Sequence, residues 1–364
     1  MSDIAYMRAA LALARRGLGT VWPNPTVGCL LVKDGAVVGR GWTQPGGRPH
    51  GETVALERAG EAARGATAYV SLEPCCHWGK TPPCTDALIA AGVARVVLPI
   101  EDPDPRVSGQ GIARLEAAGI QVTKGVCADE AREINAGFFL KLHEQRPLVT
   151  LKLATTLDGK IATASGESKW ITGSLARDRG HLLRANHDAV MIGINTALAD
   201  NPQLTCRLPG LEHRSPVRVI FDSGLRLPLT SKLVAEAGST PTWLVTRPEN
   251  DSYRQEAFRS AGVELIEVPA TEAGVDLREA LRELARRGVT RVLAEGGAAL
   301  AAQLVRLGLV DRIAWFRAPK LIGGDGKPGV APFGLDQLSG APAFERVSLE
   351  TVGEDVLETL RRSA

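Results

Sequence analysis

The chain has 364 residues, 44% of them hydrophobic and 23% charged, with a formal net charge of +2. That length exceeds one ordinary core and predicts two domains, while near-neutrality and an aromatic content of 4% argue against the field and stacking platforms of a nucleic-acid binder. No apolar run approaches a membrane span, and six irregularly spaced cysteines read as a reducing compartment, the cytoplasm, with no disulfide framework.

Residues 1–16 place Ile4, Met7, Leu11 and Ala14 on one helical face, and arginines interrupt the apolar run, so the segment is an amphipathic helix and not a signal peptide. The prolines of Trp22-Pro23-Asn24-Pro25 exclude helix. Apolar runs at 27–32 and 36–41 flank Lys33-Asp34-Gly35, a hairpin signal. A helix is expected over 51–63, then a buried strand at 68–72 ending on Glu73-Pro74-Cys75. Pro82 and Pro83 introduce a helix from Cys84 to 91. Strand 94–98, helix 111–118, strand 120–125 and helix 128–144 follow, an alternation that predicts an α/β layered domain. The short Gln145-Arg146-Pro147 segment is the expected boundary, giving domains 1–146 and 147–364. In the second half, strands are expected at 148–155, 189–192, 217–221, 242–245, 264–268, 291–294 and 312–316. Ser174 is expected to cap a helix to 185 and Asp276 one to 287, with another over 297–307.

The chemistry concentrates in His50-Gly51-Glu52, Glu73-Pro74-Cys75 and Cys84. One imidazole and two thiolates can hold zinc tetrahedrally while leaving a fourth position for water, which the metal makes acidic. A carboxylate two residues from the ligand histidine can then move a proton from that water to a leaving ammonia. This is the parts list of a hydrolytic zinc deaminase, with a longer inter-cysteine gap than the Pro-Cys-x-x-Cys of nucleobase deaminases. Each half alone is commonplace; their combination across a helix, a strand and a second helix is specific. Cys76 is an alternative ligand, although Cys75, directly after Pro74, fits the signature.

Pro23-Asn24-Pro25-Thr26-Val27-Gly28-Cys29, Gly79-Lys80-Thr81-Pro82-Pro83-Cys84, Leu151-Lys152-Leu153-Ala154, Asp158-Gly159-Lys160 and Ser165-Gly166-Glu167-Ser168-Lys169-Trp170-Ile171-Thr172 extend the pattern through both halves. With them the chain resembles the bifunctional deaminase/reductase family of riboflavin biosynthesis. The resemblance implies a cytidine-deaminase-like αβα domain fused to a dihydrofolate-reductase-like α/β domain. It also implies hydrolytic deamination of a phosphoribosylated diaminopyrimidine, then NADPH-dependent reduction of its ribosyl group to ribityl, in a homodimer or higher homo-oligomer. Carried over, the zinc ligands are His50, Cys75 and Cys84, the proton carrier is Glu52, and Asn24 meets the pyrimidine. Lys80 would meet the substrate phosphate or be a solvated lysine. The family's His-Ala-Glu-Val-His-Ala reads His50-Gly51-Glu52-Thr53-Val54-Ala55 here, which puts a substrate contact near Val54 in question.

No Gly-x-Gly-x-x-Gly follows a strand, so a Rossmann site is not indicated. Glu295-Gly296-Gly297 between a strand and a helix is instead a place where a diphosphate could approach backbone N–H groups. The resemblance assigns NADPH contacts to Ala154, Trp170, Thr196, Asp200, Ser223 and Gly297-Ala298-Ala299-Leu300-Ala301-Ala302-Gln303. It assigns substrate contacts to Lys152, Ser168, Arg184, Leu204, Arg207 and Glu295. Guanidinium groups suit a ribose phosphate, and Arg184 could equally steady a helix C-terminus. Lys152 and Asp200 both flank the expected hydride path, and Arg247 is the expected reader of the NADPH 2′-phosphate. Two other readings compete: a deaminase whose second half only binds or oligomerises, and a polynucleotide deaminase.

Overall fold

The computed structural model describes residues 2–79, 81–272 and 274–363, so Lys80 lies outside the described residues. The chain divides into two units, Met1–Gln145 and Arg146–Ala364.

The first unit runs α1 (Asp3–Ala14), β1 (Gly28–Lys33), β2 (Ala36–Trp42), α2 (Gly51–Ala59), β3 (Thr67–Val70), α3 (Cys84–Ala90), β4 (Arg95–Leu98), α4 (Gln110–Ala117), β5 (Gln121–Lys124) and α5 (Ala128–Glu144). The sheet order is β2-β1-β3-β4-β5, antiparallel around β1 and parallel from β3 to β5. The β1–β2 turn is Asp34-Gly35, both at positive φ (50° and 77°), as a two-residue hairpin requires. Because strand side chains alternate, Cys29 and Leu31 pack with residues of α2, α3 and α4 on one face, while Leu30 and Val32 pack with α1 and α5 on the other. The result is three layers, αβα. The N-terminal helix buries Tyr6, Met7, Ala10, Leu11 and Ala14, whereas Ile4, expected on that face, is half exposed. The helix expected over 51–63 stops at Ala59, where Gly60 takes φ 52° and the chain tightens into a 3₁₀ turn.

The second unit comprises β6 (Leu148–Thr156), β7 (Lys160–Ala162), α6 (Ser174–Ala185), β8 (Ala189–Gly193), α7 (Ile194–Asp200), β9 (Val217–Phe221), α8 (Lys232–Ala235), β10 (Thr242–Thr246), α9 (Ser252–Ser260), β11 (Glu264–Glu267), β12 (Ala270–Thr271), β13 (Gly274–Val275), α10 (Leu277–Arg286), β14 (Arg291–Ala294), α11 (Ala298–Arg306), β15 (Arg312–Ala318), β16 (Lys327–Pro328), β17 (Phe344–Val352) and β18 (Asp355–Arg362). Its main sheet has the order β11-β10-β9-β8-β14-β6-β15-β18-β17. Pairing is parallel from β11 to β15 and antiparallel in the C-terminal hairpin. Val190, Ile192, Ile220, Leu244 and Leu293 project from neighbouring strands into one core with Phe258 of α9. Ser174 is not the cap of α6: Gly173 occupies that position, and its N–H donates to Asp355 Oδ2 at 2.7 Å. Asp276 does cap α10, accepting from the N–H groups of Arg278 and Glu279. The carboxyl ends of β8, β9 and β14 lie side by side, where parallel sheets open their ligand crevices.

Candidate active sites

In the first unit, α2 must lie close on β2 to bring its N-terminus over the sheet. Gly41 makes that possible, since a Cβ there would overlap the Gly51 carbonyl oxygen and crowd Val54 at 2.9 Å. His50 then takes the cap position of α2, and Glu52 sits buried in its first turn. Across from them, Cys84 is the first residue of α3, and its N–H donates to Cys75 Sγ at 3.3 Å. The Thr85 N–H and hydroxyl both donate to the Cys75 carbonyl. A helix N-terminus therefore faces the Cys75 sulfur, which favours its anion.

His50 Nδ1 lies 3.6 Å from Cys75 Sγ and 3.3 Å from Cys84 Sγ, close to the edge of about 3.5 Å expected for a tetrahedral zinc with one nitrogen and two sulfur ligands. These three are the group of potential metal ligands among the described residues whose donor atoms all lie within 4.8 Å. The thiol of Cys84 donates to Cys75 and, with His50, holds the Cys75 thiol down to about 4. Cys76, the alternative ligand, turns away and donates to the Arg106 carbonyl at 3.6 Å. Glu52 Oε2 is buried and has no hydrogen-bond partner among the described residues. A buried, unsatisfied carboxylate oxygen beside a soft donor set fits zinc with an exchangeable water.

Two supports of this site were not foreseen. Glu73 accepts four backbone N–H groups, from Asp102, Gly109, Gly111 and Ile112, at 2.9–3.2 Å. It thereby fixes the start of Pro74-Cys75 against the loop leading into α4, where a Cβ on Gly111 would overlap the Pro74 carbonyl. Asn135 of α5 brackets Thr26, accepting from its N–H at 2.9 Å and donating to its carbonyl at 3.1 Å. Asn24, two residues earlier, gives its amide N–H to the Gly47 carbonyl at 2.9 Å.

In the second unit, Lys152 of β6, Arg184 of α6 and Glu295 after β14 converge. Arg184 grips Glu295 through Nε (2.5 Å) and Nη2 (2.8 Å) and donates from Nη1 to the Thr205 carbonyl. The guanidinium thus holds a carboxylate of its own chain. Lys152 Nζ stands 3.9 Å from Glu295 Oε2. Burial would raise the Glu295 carboxyl, but Arg184, then Lys152 and His181, outweigh it and hold it down to about 2. Burial lowers the Lys152 ammonium, and Glu295 opposes that shift. Leu204 is buried at φ 57°, so it can offer a ligand only backbone. Arg207 is exposed, with its N–H on His181 Nδ1 at 3.3 Å.

A cavity of about 390 Å³ is walled by Thr196, Ser223, Gly297, Ala298, Ala299, Leu300 and Gln303, all expected cofactor contacts. The Gly297 N–H donates to Thr196 Oγ1 at 2.9 Å. Ala301 and Ala302 instead turn into the core. Ala154, Trp170, Asp200 and Ser168 do not line this cavity; Trp170 is exposed and stacks under Arg177 at 4.6 Å.

Comparison with known proteins matches each unit to a family. The profile described as the cytidine and deoxycytidylate deaminase zinc-binding region matches residues 1–100. The profile described as the RibD C-terminal domain matches residues 147–357. Riboflavin biosynthesis protein RibD of Aquifex aeolicus is 41% identical over 360 residues, covering 99% of this chain and 98% of that protein. Its Escherichia coli K12 counterpart is 42% identical over 367 residues, covering 98% of each. The solved Acinetobacter baumannii RibD superposes with a TM-score of 0.88 at 38% identity over 100% of this chain and 99% of that one. The Thermotoga maritima diaminohydroxyphosphoribosylaminopyrimidine deaminase/5-amino-6-(5-phosphoribosylamino)uracil reductase does so at 0.86, with 36% identity and 99% of each chain covered. A zinc-type deaminase unit and a reductase unit, matched in one order along the whole length, place this chain in the RibD family of bifunctional riboflavin-biosynthesis enzymes.

Proposed function

We propose that the first unit hydrolyses the 2-amino group from 2,5-diamino-6-(5-phosphoribosylamino)pyrimidin-4-one, and that the second reduces the ribosyl group of the product to ribityl with NADPH. The observation that carries the reading is the convergence of His50, Cys75 and Cys84 near a buried Glu52 oxygen that has no partner among the described residues. His50, Cys75 and Cys84 would hold the zinc, which when bound supplies the Lewis acidity that makes water reactive at neutral pH. Glu52 takes a proton from water as it adds to the ring carbon and returns it to the amino nitrogen, so that C–N breaks and ammonia leaves. Asn24 reads the pyrimidine edge, a role supported by the amide's ability to donate and accept and by its anchor on the Gly47 carbonyl.

In the second unit the cofactor occupies the cavity walled by Thr196, Ser223 and Gly297, its diphosphate near the N–H groups that open α11. When bound it supplies hydride. Lys152, lowered by burial and held by Glu295, is the better placed proton donor to the ribose oxygen; Asp200 is exposed at the end of α7. Arg207 has no carboxylate partner among the described residues, and its guanidinium suits the substrate phosphate. Six free cysteines suit a cytoplasmic enzyme, no helix among the described residues is long and apolar enough to cross a membrane, and a homodimer is the assembly we infer. Purified protein given the diaminopyrimidine ribotide should release ammonia without NADPH and consume NADPH only after that release. NADPH consumption in which no ammonia appears would contradict the order, and ammonia without any NADPH consumption would favour a deaminase with a non-catalytic second half.

A further inference from the structure

We propose that Arg226 is the residue that selects a 2′-phosphorylated nicotinamide dinucleotide over its unphosphorylated form, an assignment that rests on the reductase reading of the second unit. Arg226 is the charged side chain among the described residues that wall the cavity; every other lining residue is neutral. A 2′-phosphate adds a dianion at the adenosine ribose and nothing else, so a lone cation on an otherwise neutral wall is the feature that can read the difference.

The loop after β9 is built to aim this side chain. Leu225 and Leu227 on either side are buried in the strand–helix core, at 1% and 0% exposure. The Leu227 N–H donates to Asp222 Oδ2 at 2.8 Å, and Arg254 donates to the carbonyls of both leucines. Leu225 is held at φ 50°, a conformation a branched side chain adopts only when its surroundings enforce it. With both neighbours pegged inward, Arg226 points out along the cavity wall. Its Nη2 donates to Asn195 Oδ1 at 3.0 Å, which sets the guanidinium plane. No carboxylate pairs with it among the described residues, so its charge is available to a ligand.

The competing arginines are less well placed. Arg247 gives Nε to the Ser223 carbonyl at 2.9 Å and is not on the cavity wall, which corrects the choice made from sequence. Arg278 and Arg306 line a neighbouring cavity together with Glu272 and Asp276, where the charges balance.

The test uses full-length protein and two fragments, adenosine 2′,5′-bisphosphate and adenosine 5′-monophosphate, titrated by calorimetry. Wild-type protein should bind the bisphosphate more tightly. Arg226→Gln should weaken the bisphosphate at least about tenfold, the loss of one charge-assisted contact, and leave the monophosphate as it was. Arg226→Lys should recover part of the difference, and Arg247→Ala should keep the wild-type preference. Equal weakening of both fragments by Arg226→Gln would mean that Arg226 holds the 5′-phosphate and would overturn the assignment, as would no change in either. If the wild-type chain binds neither fragment nor NADPH, the cofactor reading of the second unit falls and the assignment with it.

Discussion

The two units bury carboxylates in opposite ways. In the second, Glu295 is matched by Arg184 and Lys152, so its charge is fixed and its geometry rigid. In the first, Glu73 is matched by four backbone N–H groups, while Glu52, two residues after the ligand histidine, keeps an oxygen with no partner among the described residues. A carboxylate locked in an ion pair is suited to orienting a ligand or a neighbouring ammonium. One left unsatisfied is suited to accepting and releasing a proton. Burial alone does not mark a proton carrier; in Glu52 the oxygen without a partner lies beside the metal ligands as well.

The largest expected effect separates the units outright. Cys84→Ser should abolish zinc binding and ammonia release, yet leave NADPH consumption on already deaminated substrate near wild type. Zinc by elemental analysis and the two rates in parallel check it, and joint loss of both rates would show the units to be functionally inseparable. Next, Glu295→Gln leaves Arg184 buried without its partner and should destabilise the second unit by about 3–5 kcal/mol, read from denaturant unfolding; a change below about 1 kcal/mol would mean the pair is solvated.

The units should also answer pH with opposite slopes. Burial pushes the His187 imidazole down to about 4, with its nitrogens on the Leu183 carbonyl and Thr150 hydroxyl. The unfolded chain then takes up a proton first as pH falls. This contribution to stability is whole above about 6.5 and lost between there and 4, amounting to roughly 3 kcal/mol. Burial raises the Asp102 carboxyl to about 7, so its contribution is whole near pH 3.8 and is lost as pH rises through 7. Calorimetric unfolding across pH 4–8 should lose the first slope in His187→Gln and the second in Asp102→Asn. Slopes unchanged by either substitution would place the titration elsewhere. The smallest effect is steric: Gly111→Ala should cost about 1–3 kcal/mol by pushing α4 from the Pro74 carbonyl, and a lowered affinity for zinc should accompany it.

The metal site was legible because its ligands are scarce residue types in short motifs whose flanking prolines and helix starts set their direction. The buttresses were not. Glu73 looked like part of a motif, and its donors are backbone groups 29–39 residues further along, which carry no side-chain signature. Lys152, Arg184 and Glu295 arrive from three elements spread over the second unit, so only resemblance joined them. Arg226 is one arginine among many until the φ of Leu225 and the burial of its neighbours are known. The C-terminal hairpin of β17 and β18 escaped notice for a related reason: its pairing is marked by charged cross-strand partners such as Arg361 with Glu345 and Arg346 with Glu358, not by apolar alternation. The seven-residue α7 follows β8 with only Gly193 as its cap and leaves no start signal.

The most direct measurement is made on Glu52→Gln, assayed at once for zinc content, thermal stability and ammonia release. The variant should hold one zinc per chain as in wild type, lose no stability, and release ammonia about 10²–10⁴-fold more slowly. Absence of zinc from that variant, or ammonia release at the wild-type rate, would contradict the role of Glu52 as proton carrier.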